Sequence, residues 1–440
     1  MKQVYFIGIG GIGMSALARY FLSENWKVSG SDISPSSITK ELKKEGIKVL
    51  IGQQNAKNIK NTDLIIYNQA INDDNPELLT ARRKRIPCKL YAEVLGELTK
   101  KYKTIAIAGA HGKSTTTAMT SLMLIDAGFD PTIIIGTKLK EFGNKNFRKG
   151  KSDWLIIEAD EWKGSFWNYS PFISLINNID REHLDFYKNF SNVKKSFLRF
   201  IKNTNSNGIV IFNDQNKDLG RLIDKNNKIL SNILPYSQYF SVREKIKMIS
   251  QIPGDHNVQN ALGAYCIGKY LKIPDYKILK SLHKYNGAWR RMEFRGSLKI
   301  KGQKSKVMVF DDYAHHPTEI RATLSAFREK WPKNALICVF QAHQAERLKL
   351  LFTSFKTAFK DANHTIILPT FKVAGRDTKE GLKLGSKALA AAIKGTYVSN
   401  LDRELLPALK SIILNVQSPI TLVMMGAGDI TKYTDILLHF

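Results

Sequence analysis

The sequence predicts an α/β chain of three domains: an N-terminal Rossmann-like domain, a central phosphate-loop domain and a C-terminal Rossmann-like domain. Three observations predict it. Two glycine-rich loops, Gly8-Ile9-Gly10-Gly11-Ile12-Gly13 and Gly109-Ala110-His111-Gly112-Lys113-Ser114-Thr115, each follow a short apolar run and precede a helical one. Apolar runs of strand length alternate with helical stretches along the chain, the rhythm of parallel sheets. The 440 residues, 43% of them hydrophobic, suffice for about three domains at the usual ~100–200 residues each. The domains are expected at residues 1–99, 100–292 and 293–440.

In the first domain, strands are predicted at Val4–Ile7, Lys27–Gly30, Lys48–Ile51 and Leu64–Tyr67, with a helix over Gly13–Ser23. In the second, Thr104–Ala108 leads into the second loop, followed by a helix over Ser114–Ala127, strands Trp154–Ile157 and Ile173–Asn177, and a helix over Asn257–Tyr270. The third begins near Phe294 and has strands at Val307–Phe310, Ala335–Phe340, His364–Leu368 and Pro419–Met425. The polar passages Lys202–Asn207 and Asn213–Asn227 read as surface loops.

No apolar run is long enough to span a membrane, and no leader pattern opens the chain. Cys88, Cys266 and Cys338 lack metal-ligand spacing and suit reduced thiols in a cytoplasm. The net charge of +28 is scattered over the chain without a basic tail or a nucleic-acid-binding motif. It reads as a lysine-rich solvated surface whose positive field would favour anionic substrates.

Glycines let a loop turn tightly and press its N–H groups against phosphate oxygens at a helix N-terminus. The first loop fits G-x-G-x-x-G, with Asp32 about twenty residues on, the spacing of a dinucleotide fingerprint. By itself this favours NAD, and more broadly a diphosphate. The second loop has Ile107 where the full phosphate-loop pattern has its first glycine, yet keeps Gly109, Gly112, Lys113 and Ser114. Lys113 would meet the β- and γ-phosphates of ATP, and the Ser114 hydroxyl would ligate Mg²⁺.

Other polar clusters fall at strand ends. Glu158-Ala159-Asp160-Glu161 follows one strand, as Mg²⁺ ligands or a solvated acidic turn, and Asn177–His183 follows the next. Asn257 and Asn260 suit an adenine edge or a helix cap, and Arg290-Arg291 a phosphate or an ordinary surface pair. Asp311-Asp312-Tyr313-Ala314-His315-His316-Pro317 suits a metal or a substrate; His343 and Arg347 repeat that placement after the following strand, and Gly426-Ala427-Gly428-Asp429 makes a third glycine turn.

Taken together, these runs resemble the Mur ligase family over essentially the whole chain. The matching segments are Gly8–Met14, Ala108–Thr117, Glu158–Glu161, His256–Leu262, Arg290–Glu293, Asp311–Ile320 and Met425–Asp429, in the family's order and spacing. The resemblance implies a cytoplasmic, ATP- and Mg²⁺-dependent ligase of peptidoglycan precursor synthesis. In it the lactyl carboxylate of UDP-N-acetylmuramate attacks the γ-phosphate, and the amino group of L-alanine attacks the resulting acyl phosphate. The alternative reaction attaches a recycled tripeptide to the same nucleotide sugar. It implies no nucleic-acid or membrane partner, and a monomer or weak homodimer. It assigns UDP-sugar binding, not NAD, to Gly8, Gly10, Gly11, Gly13, Met14, Asp32 and Ser165. ATP falls to Gly109, Ala110, His111, Gly112, Lys113, Ser114, Thr115, Asn257, Asn260, Arg291 and Asp312, and the metal to Ser114, Glu158 and His183. Tyr313, His315, His343 and Arg347 fall on the amino-acid side, and Lys113, Glu158, His183, Arg291 and His315 are the implied catalytic set. The chain departs from the family pattern at Gln53, Ala110, Ser114, Trp162-Lys163, Glu182 and Gln344, the last standing for an arginine expected to help bind the acceptor carboxylate.

Overall fold

The structure is a computed structural model that describes residues 1–52, 54–229, 232–298, 306–371 and 385–439. Gln53 lies outside them. The chain divides into two compact units: Met1–Ile249 with Gln259–Tyr285, and Ser250–Val258 with Asn286–Phe440.

The first unit contains two sheets. One has five parallel strands among the described residues, in the order Lys48–Ile51, Lys27–Asp32, Gln3–Ile7, Leu64–Tyr67, Cys88–Leu90. Its first strand is central, so the glycine loop leaves the sheet where strand order reverses, the place where parallel sheets open a crevice. Alternate residues of that strand face opposite ways: Val4 and Phe6 join one apolar cluster, Tyr5 and Ile7 another. The second sheet runs Ile233–Pro235, Ile209–Phe212, Ile173–Ile176, Lys103–Ala108, Trp154–Ala159, Thr132–Leu139, Lys145–Arg148, and only its last pair is antiparallel. Ala106, Ala108, Leu155 and Ile157 of this sheet share the apolar cluster of Val4 and Phe6, so the two sheets have a core in common.

The second unit holds a six-stranded sheet among the described residues: Glu293–Leu298, Val307–Asp312, Ile420–Met425, Ala335–His343, His364–Phe371, Thr396–Tyr397. Only Glu293–Leu298 pairs antiparallel. Cys338 and Phe340 pack with the helix Pro317–Lys330, whereas Ile337 and Val339 pack with Leu401–Leu414 on the other face. A sheet covered on both sides must be apolar on both, which is why these strands read as continuous hydrophobic runs.

The structure departs from the sequence expectations at several elements. The passage Asn213–Asn227 is not all loop: Lys217–Asp224 is a helix capped by Asn216, with Leu219 and Ile223 buried. The hairpin Thr132–Leu139 and Lys145–Arg148 and the strand Ile209–Phe212 were not anticipated. Three predicted strands run on into their acidic ends, to Asp32, Ala159 and Asp312. Ladder pairing carries them there, Glu158 lying opposite Ile107 and Asp312 opposite Met425. Cys266 and Cys338 are buried, Cys88 is partly exposed, and all three are free thiols. Among the described residues no helix is long and apolar enough to cross a membrane.

Candidate active site

The first glycine loop is fastened to the neighbouring strand. The N–H groups of Gly8 and Ile9 both donate to the Ser31 carbonyl, at 2.9 and 3.0 Å. Gly10 N–H donates to Asp32 Oδ2 at 2.8 Å, so the acid expected to meet the ligand also shapes the loop. The helix Ile12–Ser23 starts at Gly11 with no side-chain cap and no acid in its first turn, which leaves its amides and positive dipole end to an anion. A Cβ on Gly13 would lie 2.9 Å from the Tyr91 hydroxyl, so a side chain there would require Tyr91 to shift. Met14 is buried. Ser165 Oγ donates to the Trp162 carbonyl at 2.8 Å and lies 3.2 Å from Gln69 Oε1, and Lys163 Nζ donates to the Gln69 carbonyl at 3.0 Å.

The second loop is tied down in the same way by the strand end beside it. Ala110 N–H donates to the Asn178 carbonyl at 3.2 Å and His111 N–H to Asn178 Oδ1 at 2.9 Å. Asn178 Nδ2 returns to the His111 carbonyl at 3.1 Å, and His111 Nε2 pairs with Asp180 at 2.9 Å. Gly112 starts the helix Lys113–Asp126 at φ +81°, a left-handed conformation that suits glycine, and a Cβ there would also collide with the Asn260 side chain. This helix too lacks an acidic first turn, and Ser114 and Thr115 within it are buried.

Carboxylates line the loop's other side. Glu158 accepts from Ser114 Oγ at 3.0 Å and from the Gly136 amide at 2.6 Å. Lys113 Nζ donates to the Gly109 carbonyl and to Glu161 Oε2, each at 2.7 Å. Glu161 Oε1 faces His183 Nε2 at 3.7 Å. Burial opposes the Lys113 charge, yet Glu161 and Asp160 outweigh it and hold the ammonium above its usual range. Burial pushes the Glu161 carboxyl up, opposed by Lys113 and His183. The structure therefore brings Ser114 to Glu158, and His183 to Asp160 and Glu161, whose ligand atoms lie within 4.8 Å of one another. Hard oxygen donors and a buried Glu161 Oε1 with no hydrogen bond fit a Mg²⁺ ion.

In the second unit, Asp312 is buried and anchors three groups: Met292 N–H at 2.8 Å, Ala314 N–H at 2.9 Å and Thr323 Oγ1 at 3.3 Å. Its contacts fix the backbone immediately after Arg291 and after Tyr313. The Tyr313 ring carries both neighbouring guanidinium groups, Arg290 at 4.9 Å and Arg291 at 4.8 Å from its centre. Arg290 is turned inward and donates to the carbonyls of Gly426 and Gly428. His315 Nδ1 lies 3.0 Å from the Tyr313 carbonyl, and its ring meets that of His343 at 5.9 Å; His343 in turn stacks on Phe371. Arg347 is buried and donates to the His343 carbonyl at 3.1 Å. Gln344, also buried, takes φ +70° between them. Asn257 Nδ2 donates to the Pro253 carbonyl at 2.7 Å.

The sequence marks Glu161 only as one of a run of possible Mg²⁺ ligands and Asn178 only as part of a polar strand end, and it gives no sign of Gly136 or Tyr91. Glu161 carried a signal, being the third acid of the run that Glu158 opens. The Gly136 contribution is a backbone amide, which no residue type announces.

Two uncapped helices behind glycine loops, one with a lysine, a hydroxyl and carboxylates around it, define an α/β enzyme that handles nucleoside phosphates. Three family models match the chain: "Mur ligase family, catalytic domain" over residues 3–103, "Mur ligase middle domain" over 107–268 and "Mur ligase, glutamate ligase domain" over 290–428. A protein of Clostridium botulinum (strain Okra / Type B1) named UDP-N-acetylmuramate–L-alanine ligase is 37% identical over 460 residues, covering 100% of this chain and 98% of the relative. A protein of the same name from Clostridium perfringens (strain 13 / Type A) is 36% identical, covering 99% and 98%. Among solved structures, the UDP-N-acetylmuramate–alanine ligase MurC of Thermotoga maritima superposes with a TM-score of 0.79 at 25% identity, over 100% of this chain and 99% of that one. A murein peptide ligase of Psychrobacter arcticus shares the fold at a TM-score of 0.72 and 21% identity, over 100% and 98%. The chain belongs to the Mur ligase family.

Proposed function

We propose that the chain is an ATP-dependent, ADP-forming ligase that joins L-alanine to the lactyl carboxylate of UDP-N-acetylmuramate in cytoplasmic peptidoglycan precursor synthesis. The observation that carries this is the second loop, with Lys113 at the helix start and Ser114 bonded to Glu158. Full-length similarity to relatives named for this reaction supports it.

On this reading the first loop binds the UDP diphosphate through the amides of Gly8, Gly10, Gly11 and Gly13. The second binds the ATP phosphates from Gly109 to Thr115. The lactyl carboxylate attacks the γ-phosphorus, the bond to the β-phosphate oxygen breaks, and ADP leaves. The free amine of L-alanine then attacks the acyl carbon and expels phosphate. Lys113 and, by its motif, Arg291 neutralise charge on the phosphoryl group. Ser114, Glu158 and His183 would hold Mg²⁺, which when bound screens the phosphate and carboxylate oxygens from one another. Asn257 and Asn260 are assigned to the adenine and Asp312 to the nucleotide side, a reading supported by its hold on the Met292 amide next to Arg291. Tyr313, His315, His343 and Arg347 are assigned to the acceptor.

Gln344 bears on the acceptor. Glutamine lacks the charged fork that arginine offers a carboxylate, so the acceptor is the part of the reading to test. Phosphate release from ATP is measured with UDP-N-acetylmuramate and, in turn, L-alanine, L-serine, glycine and the L-alanyl-γ-D-glutamyl-diamino acid tripeptide. L-Alanine is expected to give the highest kcat/KM. Faster turnover with the tripeptide would replace the alanine assignment by peptide ligation, and no ATP-dependent turnover with any acceptor would remove the ligase reading.

A further inference from the structure

Lys113 has no free N–H direction in this structure. An ammonium carries three donors, and here they point to the Gly109 carbonyl at 2.7 Å, Glu161 Oε2 at 2.7 Å and, more weakly, the Ala110 carbonyl at 3.5 Å. The side chain is folded back over its own loop. Its carboxylate partner is built in rather than placed by chance on the surface. The Glu161 side chain is 2% exposed. The Glu161 carbonyl is gripped by Gly164 N–H at 2.9 Å and by the Tyr187 hydroxyl, which also meets Ser196 Oγ at 2.8 Å. The two carboxylate oxygens face two different site residues, Lys113 on one side and His183 on the other.

We propose that Glu161 is a positioning residue that makes triphosphate binding depend on a divalent cation. The proposal rests on the ATP reading above. A bare triphosphate reaching Lys113 must displace a carboxylate from the ammonium and then lie beside that buried negative charge, which is costly in a medium of low polarity. A triphosphate arriving with a cation brings a positive charge for Glu161 to face, so Lys113 is released to the phosphate without leaving the carboxylate alone. The same carboxylate keeps His183 directed at the metal side of the loop. Glu161 thus acts through Lys113 and His183 and needs no contact with the reacting atoms.

The test is equilibrium binding of ATP to the full chain, by calorimetry, in Mg²⁺ and in EDTA, for the unaltered protein, Glu161→Gln and Glu161→Asp. Glutamine keeps the shape and an acceptor for Lys113 but removes the charge. Glu161→Gln is expected to bind ATP in EDTA roughly ten- to a hundredfold more tightly than the unaltered protein, the scale of one charge-assisted hydrogen bond. Its turnover should fall while its KM for ATP does not rise. Glu161→Asp keeps the charge and should retain the strong metal dependence of binding, with a lower kcat from the shortened reach. If Glu161→Gln binds ATP in EDTA no more tightly than the unaltered protein, or if Glu161→Asp loses the metal dependence, the proposal is overturned while the ATP reading stands. If the unaltered protein binds no ATP even in Mg²⁺, both fall together. Should Glu161→Gln fail to fold, the Glu161→Asp result decides.

Discussion

Lys113 sits where three of the protein's own acceptors take up its three donors, and the arrangement sets what its loss would do. Its ammonium neutralises Glu161 in the free protein and, on the proposed mechanism, the phosphoryl group during transfer. Lys113→Ala is expected to lower turnover at least about a hundredfold, roughly 2.7 kcal/mol of transition-state stabilisation. UDP-sugar affinity should hold, because the first loop makes its own contacts to Ser31 and Asp32. Phosphate release and a separate UDP-sugar titration check the two halves; near-normal turnover would remove Lys113 from catalysis. A second residue-scale prediction concerns Asp311, a buried carboxyl bonded to Thr434 Oγ1 at 2.5 Å and paired with Arg295. Burial is the larger influence and pushes its pKa from 3.8 to about 6, against the opposing Thr434 and Arg295 contacts. The folded state therefore holds this proton more tightly than the unfolded chain. The associated stability is fully present below about pH 4 and is lost as pH rises through about 6, a swing of about 3 kcal/mol. Asp311→Asn lacks that dependence. In denaturant titrations, the stability of the unaltered protein relative to Asp311→Asn should rise by up to that amount from pH 7 to pH 4. A constant difference would show that Asp311 titrates alike in both states.

At the scale of elements, the glycine loops depend on backbone that only glycine supplies cheaply. Gly112→Ala places a Cβ at φ +81° and against Asn260, two penalties at the turn that aims the Lys113 helix. It is expected to weaken ATP binding at least about tenfold, with left-handed strain alone costing roughly 1–2 kcal/mol. Unchanged ATP affinity in calorimetry would show that the loop relaxes without cost. The unanticipated hairpin Thr132–Leu139 and Lys145–Arg148 matters as much. Its fully buried Asn146 donates to the Ile12 carbonyl at 2.5 Å and to Ser15 Oγ at 2.9 Å, and accepts from buried Arg19. The same hairpin supplies the Gly136 amide to Glu158. Asn146→Ala leaves a carbonyl and an arginine N–H buried without their partner, so urea unfolding should show a loss of about 2–3 kcal/mol; a loss below about 0.5 kcal/mol would mean that water replaces the amide. The sequence hid this hairpin for a physical reason. Thr132–Leu139 is buried almost throughout, so it has no period-two alternation, and its turn uses Asn144 as well as Gly143 at positive φ. The helix Lys217–Asp224 was masked differently: in an Asn- and Lys-rich passage its two buried residues, Leu219 and Ile223, give too thin an apolar stripe. Both glycine loops were legible, because strand, turn residue and helix start follow one another locally. The partners of those loops were less so. Glu158 could be read from its place at a strand end, whereas its meeting with Gly136 depends on which strand neighbours which.

For the molecule as a whole, the net charge of +28 is a property that no single contact explains. Ion pairs neutralise some of it locally, as where Arg19 meets Glu45 and Lys138 meets Glu41, but lysines and arginines together number 67 against 39 acids. The surplus therefore produces a positive field at long range. Both proposed nucleotide substrates are polyanions, and a field of this sign raises their encounter rate without touching the chemical step. Screening shortens the reach of that field to about 10 Å at 0.1 M salt. The expected outcome is that kcat/KM for UDP-N-acetylmuramate and for ATP falls on the order of tenfold between about 10 mM and about 200 mM salt. kcat should change by less than about twofold, and kcat/KM for zwitterionic L-alanine should be nearly flat, since a molecule without net charge is not steered. A chloride series at constant free Mg²⁺ measures all three. If the nucleotides and L-alanine respond alike, the surplus lysines serve solvation of the surface and not substrate capture.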